Sequence, residues 1–261
     1  MAFAFLLDYL RHRLTANTRH GTHSPFIYKL ADEVIYDFKP KTEYTEIEQQ
    51  RKKLFNDASE VTVTDLGAGS HLNTNRTKTV SQIAKNALKK PSLAQLIFRL
   101  ARYHQPHHII ELGTCLGITT AYLSRACPQA NVLTIEGCPQ TAAVAGRNFG
   151  ELGLQNIALK VGNFDQVFPE VLGSLSGKLD FVYIDGNHRK EATLNYFQWC
   201  LPKAHEETLL IFDDIYWSQG MKEAWEEIKA HPEVTVTVDL FWIGLVYFRK
   251  GQAKEHFKLK F

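Results

Sequence analysis

The sequence predicts a doubly wound, Rossmann-like α/β fold: a mostly parallel sheet with helices on both faces, a C-terminal antiparallel hairpin, and a mainly helical N-terminal cap. Three observations carry this prediction. From His107 onward, short apolar runs alternate with helical segments at regular spacing, which implies a parallel sheet covered on both faces. The first run, His108-Ile109-Ile110-Glu111, ends in an acid and leads into a glycine turn, the build of a nucleotide-binding crevice at the carboxyl end of a parallel strand. The last two strand-like runs, 234–240 and 241–248, have no helix between them and can pair only as an antiparallel hairpin.

The elements follow in order. Residues 3–14 read as an amphipathic helix, with Phe5, Leu6, Tyr9 and Leu10 on one side. A polar loop, 17–25, ends in Ser24-Pro25, which suits the cap and first position of a helix from Phe26 to about Phe38. A polar helix is expected from Glu43 to Leu54, and Val61 to Thr64 alternates like a short strand. Residues 65–76 read as loop, 80–88 as helix, and Pro91-Ser92 opens a helix reaching Tyr103. Strands are predicted at 108–111, 131–135, 157–161, 180–184 and 208–212, with helices between them such as 119–127 and 139–152. The closing hairpin is expected to set an antiparallel strand at the sheet edge.

With 261 residues and 44% hydrophobic composition, the chain can bury one large core with a small accessory region. The formal net charge is +2. Residues 1–90 hold 14 Lys/Arg against 10 Asp/Glu, and the remainder 16 against 18. This slight basic bias neither demands nor excludes a nucleic-acid partner. Four isolated cysteines, with no Cys-x-x-Cys pair, argue against a zinc knuckle and fit a reducing cytoplasm. The apolar run at residues 1–7 is cut off by Asp8, too short to span a bilayer.

The glycine turn carries the chemistry. Dinucleotide folds need Gly-x-Gly-x-x-Gly, so that backbone can approach a pyrophosphate. Here the pattern is Gly113-x-x-x-Gly117, with Glu111 just before it. A carboxylate there repels a pyrophosphate and suits a cofactor head bearing an ammonium beside a sulfonium, which is S-adenosylmethionine. A second strand ends in Glu136, where an acid can accept from both ribose hydroxyls.

On these motifs the span 91–261 resembles the class I S-adenosylmethionine-dependent methyltransferases. Within them it is most similar to the catechol and caffeoyl-coenzyme A type O-methyltransferases and related bacterial families. The resemblance implies that Glu111, Gly113, Thr114, Gly117 and Thr119 cradle the methionine part of the donor. It sets Glu136 at the ribose. It implies that Gly162, Asn163, Phe164 and Asp165 flank the adenine, with Phe164 on the ring and Asp165 accepting from the amine. Residues 1–90 lie mostly outside the resemblance and form the expected accessory cap.

The fourth strand ends Tyr183-Ile184-Asp185, with His188 three residues on, and the fifth ends Asp213-Asp214. Three carboxylates from adjacent strand ends make an oxygen-rich site suited to Mg2+ or another divalent cation. In the resembling families these places hold metal ligands, which implies a metal role for Asp185, Asp213 and Asp214. Asp185 is also a candidate for positioning the cofactor. His188 stands where those families carry a lysine base; an imidazole with a pKa of about 6.5 suits that role near neutral pH. The expected catalytic residues are therefore Asp185 and His188.

Other features point elsewhere or nowhere. Asp65-Leu66-Gly67-Ala68-Gly69-Ser70 resembles an adenosine-binding turn, but no acid-tipped strand follows at the right distance. It reads as a loop near the site mouth. His20 and His23 lack nearby ligand partners in sequence and read as surface or capping residues, and Trp217 can wall an acceptor pocket or join the core. The leading expectation is methyl transfer from S-adenosylmethionine to a small-molecule hydroxyl, in a cytoplasmic protein with no membrane partner, as monomer or homodimer. A hydroxylated transfer-RNA base as acceptor and a catalytically silent donor-binding scaffold are the alternatives.

Overall fold

The structure, a computed structural model, describes residues 2–21, 23–64 and 77–261. The turn at 65–70 and most of the basic loop after it lie outside the described residues. The chain opens with α1 (Ala2–Thr15) and α2 (Pro25–Leu30), the latter capped by Ser24 with Pro25 in its first turn. A single π-helical turn, Ala31–Ile35, continues α2. The helix expected over 26–38 is thus an α piece and a π piece, the second closed by Tyr36 N–H reaching back to Ala31 O at 2.9 Å.

Next come α3 (Thr42–Phe55), β1 (Glu60–Thr62), β2 (Thr77–Thr79), α4 (Val80–Ala87) and α5 (Pro91–His104). A reciprocal Thr79–Gln82 capping box starts α4. The alternating region holds β3 (His108–Leu112), α6 (Ile118–Ala126), β4 (Asn131–Glu136), α7 (Pro139–Glu151), β5 (Ile157–Val161), α8 (Phe164–Ser174), β6 (Phe181–Ile184), α9 (Lys190–Cys200), β7 (Leu209–Asp213) and α10 (Gln219–Ala230). The chain closes with β8 (Val236–Asp239), β9 (Ile243–Tyr247) and β10 (Glu255–Lys258).

Contacts divide the chain into two compact units, residues 38–170 and residues 1–37 with 171–261. Neither is bounded at residue 90. In the first unit β3, β4 and β5 pair in parallel, with Glu111 opposite Thr134 and Glu136 opposite Val161. The helices α3 and α5 belong to this unit. Tyr44 of α3, Phe98 of α5 and Tyr122 of α6 meet edge to face, with Tyr44 5.0 Å from Phe98 and 5.6 Å from Tyr122 between ring centroids. Gln50 donates to Asn148 at 2.8 Å and so ties α3 to α7. Segments read as an accessory cap are therefore packed into the body that carries the glycine turn.

In the second unit β6 and β7 are parallel, β9 runs antiparallel to both β7 and β8, and β10 lies parallel to β8. The hairpin expected from the sequence is present as β8–β9. Its place differs from the expectation: β9 lies between β7 and β8, and β10 covers the far edge of β8. An unpaired edge leaves a row of backbone donors and acceptors open, and β10 satisfies that row. Asn17 extends the cover, donating to Lys258 O at 2.8 Å and accepting from Lys260 N–H at 3.0 Å. The helix α1 is held to the same unit by Asp8–Lys222 at 2.7 Å and His12–Asp239 at 3.0 Å. Phe5 and Tyr9 lie edge-on to Phe241 at 5.1 and 5.0 Å. No helix among the described residues is long and apolar enough to cross a membrane.

Candidate functional site

Within residues 38–170 the glycine turn between β3 and α6 is built from main chain. Gly113 and Thr114 donate to Ile135 O at 2.9 and 3.3 Å, and Gly117 donates to Thr114 O at 2.8 Å. Gly113 and Gly117 have φ of +103° and +80°, a region that disfavours any residue with a Cβ. Cys115 also adopts positive φ, at +50°, and its N–H donates to Glu136 Oε2 at 2.8 Å. Glu136 Oε1 accepts from Cys138 N–H at 2.9 Å. The carboxylate at the end of β4 thus fastens the glycine turn to the turn after its own strand. Burial raises the Glu136 carboxyl above its ordinary value, and the bonds from Cys138 and Cys115 only partly offset that effect.

Glu111, expected at the donor's ammonium, lies on β3. It is fully buried. Its Oε2 accepts from Thr134 Oγ at 2.7 Å and from the Thr120 hydroxyl. Thr134 in turn lies 2.5 Å from Thr114 Oγ. The acid therefore braces α6, β4 and the turn together. Thr119 is half-buried in the first turn of α6, beside the buried Thr120. Asn148 also serves the turn, donating to Leu116 O at 2.8 Å. Thr120, Thr134 and Asn148 are not singled out by the sequence, where they read as ordinary helix and strand residues.

Beyond β5, Gly162 N–H donates to Glu136 O at 2.9 Å. Asn163 starts α8: its side chain accepts from Asp165 N–H at 2.9 Å. Phe164 is half-buried and Asp165 exposed at the head of that helix. The residues expected around an adenine are thus a helix-start turn joined to the ribose-type acid through one main-chain bond.

The second unit carries the acids. Asp185 follows β6 and Asp213 ends β7. One ligand atom each from Asp185, His188 and Asp213 lies within 4.8 Å of the others. His188 Nε2 is 3.7 Å from Asp185 Oδ1 and 3.8 Å from Asp214 Oδ2, too long for hydrogen bonds but within ion-pair distance. Asp214 is held in the left-handed region, φ +53°, with its N–H on Trp242 O and its O accepting from Trp217 N–H, both at 2.8 Å. The adjacent acids therefore point differently: Asp213 is buried, while Asp214 is partly open. Trp217 is exposed, as is His23.

This donor set fits a divalent ion. Oxygen ligands at about 2.1–2.5 Å set opposite ligand atoms about 4–5 Å apart, which the observed spread allows. The structure also adds Tyr183, whose hydroxyl lies 3.1 Å from both Asp185 Oδ2 and Asp213 Oδ1. The sequence signal for it was slight: a tyrosine two residues before Asp185, on the same strand face.

Residues 110–215 match the family described as "Methyltransferase domain". That span of the chain is similar to a methyltransferase domain. A catechol O-methyltransferase from Niastella koreensis is 31% identical over 127 residues, which cover 48% of this chain and 57% of that protein. The chain thus spans little more than half the length of that relative. Among solved structures, the O-methyltransferase from Bacillus cereus in complex with SAH aligns with a TM-score of 0.58 at 18% identity, covering 84% of this chain and 94% of that one. The Streptomyces achromogenes O-methyltransferase TomG, in complex with SAM, gives 0.57 at 18%, covering 85% and 95%. These likenesses show the fold: an α/β, mostly parallel Rossmann-like sheet with a C-terminal antiparallel hairpin. The matched span 110–215 contains the glycine turn, Glu136, the 162–165 turn, and the acids Asp185, Asp213 and Asp214.

Proposed function

We propose that this protein transfers a methyl group from S-adenosylmethionine to a hydroxyl of a small molecule, with a divalent cation at Asp185, Asp213 and Asp214. The observation that carries this reading is the convergence of Asp185, His188 and Asp213 in a chain whose residues 110–215 match a methyltransferase domain. The relative named for catechol supports a phenolic acceptor over an RNA base. Residues 1–90 contribute to acceptor choice in this reading.

The donor carries its methyl on a positive sulfur, and the C–S bond breaks as the acceptor oxygen forms the new C–O bond in line. A bound cation would lower the pKa of the acceptor hydroxyl. Glu136 accepts from the ribose hydroxyls with the two oxygens that Cys115 and Cys138 amides already orient. The turn 113–117 offers main chain without side-chain bulk to the methionine part. Glu111 acts through Thr120 and Thr134, keeping that turn in shape. Asn163 sets the head of α8 against the adenine edge, where Phe164 and Asp165 lie. His188 Nε2 takes the hydroxyl proton, and Asp185 and Asp214 beside it stabilise the resulting imidazolium. Most of the rate gain in such a displacement comes from alignment and deprotonation.

The test is a methyl-transfer assay over catechols, other phenols and transfer RNA, with and without a chelator. Asp185→Ala should abolish turnover and leave donor binding, read by calorimetry, largely intact. His188→Ala should lose turnover yet keep cation binding. Undiminished turnover of Asp185→Ala would overturn the scheme, and methylation confined to RNA would overturn the acceptor class.

A further inference from the structure

We propose that the buried Tyr183 hydroxyl is a positioning group for the acid cluster: it clamps the carboxylates of Asp185 and Asp213 so that they can share one cation. This inference rests on the cation reading above. Ile184 pairs with Phe212 in the β6–β7 ladder, so Asp185 and Asp213 come next to each other at the following step. Two carboxylates at neighbouring strand ends repel, and Asp213 is almost wholly removed from water, at 1% exposure. A buried charge needs a donor. Tyr183 is itself fully buried and sets its hydroxyl 3.1 Å from one oxygen of each acid, so that its single proton is shared between the two carboxylates. On a strand, residues two apart share a face, which is why a tyrosine at 183 can reach Asp185.

The clamp divides the work of Asp185. Oδ2 faces the phenol, while Oδ1 faces His188 Nε2 at 3.7 Å. With one oxygen engaged, the carboxylate plane is fixed and the other oxygen is aimed into the cluster. A phenylalanine at 183 would fill the strand equally well. The hydroxyl is the atom that packing alone does not require. Partners of this kind, which touch ligands rather than the ion, typically change metal affinity about 10–100-fold when removed.

The experiment uses the full chain, stripped of metal, with Mn2+ as probe and free Mn2+ read by electron paramagnetic resonance. Parent, Tyr183→Phe and Asp213→Asn are compared without donor or acceptor. The expected result is Mn2+ binding by the parent, loss in Asp213→Asn, and affinity about 10–100-fold weaker in Tyr183→Phe. Turnover of Tyr183→Phe should return to near the parent value at saturating metal, a rescue that a general packing defect would not show. Thermal unfolding in chelator checks the fold; if Tyr183→Phe does not fold, Tyr183→Met, which also lacks the donor, takes its place. Affinity within twofold of the parent overturns the role of Tyr183 and leaves the cation reading standing. A parent that binds no Mn2+ overturns both.

Discussion

Gly117→Ala is the sharpest test of the glycine turn, because two separate penalties meet at one methyl group. Gly117 has φ +80° at the start of α6. An L-residue held in the left-handed region costs about 1–2 kcal/mol. The added Cβ would also lie 2.5 Å from Phe149 Cε1, 2.8 Å from its Cζ and 3.1 Å from Ala145 Cβ. Phe149 is buried on α7, so its ring cannot swing into solvent, and forcing bulk into such a core costs about 1–3 kcal/mol. The sum is about 2–5 kcal/mol. The two parts separate in a double-variant cycle. Phe149→Leu removes the ring atoms that the new methyl would strike, so adding Gly117→Ala to it should cost only the backbone part, about 1–2 kcal/mol. The assay is urea unfolding followed by circular dichroism, with midpoints compared at constant slope. Donor titration is run in parallel. The same turn presents the Cys115 N–H to Glu136, so donor affinity should fall at least about tenfold, or about 1.4 kcal/mol. A Gly117→Ala protein within about 0.5 kcal/mol of the parent, or costs that simply add in the double variant, would refute the reasoning.

Three further outcomes follow from the same geometry. Glu136→Gln removes a charged acceptor and turns an amide N–H toward Cys115 or Cys138, so donor affinity should drop by about 1.5–3 kcal/mol, measured by calorimetry. Donor binding should also weaken as pH falls through the Glu136 pKa, because only the ionised form can accept from the ribose hydroxyls with both oxygens. Since burial raises that pKa, the loss should begin at higher pH than an ordinary glutamate would show. Affinity flat down to pH 4 would contradict the ribose role. In the second unit, burial pushes the Asp239 carboxyl up, but bonds from His12 and Tyr216 outweigh it and hold the pKa below its ordinary value. Its stabilising contribution is therefore complete above that ordinary value and is lost as pH falls through the lower, folded-state value. Asp239→Ala leaves His12 without its buried partner and should cost about 3–5 kcal/mol in thermal unfolding near pH 7. A loss under about 1 kcal/mol would mean that this contact behaves as a solvent-exposed pair.

Much of the architecture is legible because buried parallel strands write themselves as apolar runs. Ile109-Ile110 and Phe181-Val182-Tyr183-Ile184 are such runs, and each leads to an acid at its carboxyl end. Glycine at 113 and 117 is legible for a local reason: the turn needs positive φ there. The hairpin 236–247 is legible because no helix separates its strands. In contrast, β10 leaves little trace. Glu255-His256-Phe257-Lys258 contains one apolar residue, and its strand geometry comes from pairing with β8.

The sequence by itself determined the order of strands and helices, the acid-tipped glycine turn, and the residue types available for donor and cation. These are local properties, set by side-chain burial period and backbone preference over a few residues. Only the tertiary structure decided that β9 inserts between β7 and β8, that Glu111 turns inward to Thr120 and Thr134, and that Tyr183 joins two acids. Those outcomes depend on which distant segments satisfy one another's hydrogen bonds. Thr134 lies 23 positions from Glu111, and Asp213 lies 30 from Tyr183. No local pattern encodes a pairing across such distances; the competition for buried donors and acceptors settles it when the chain folds.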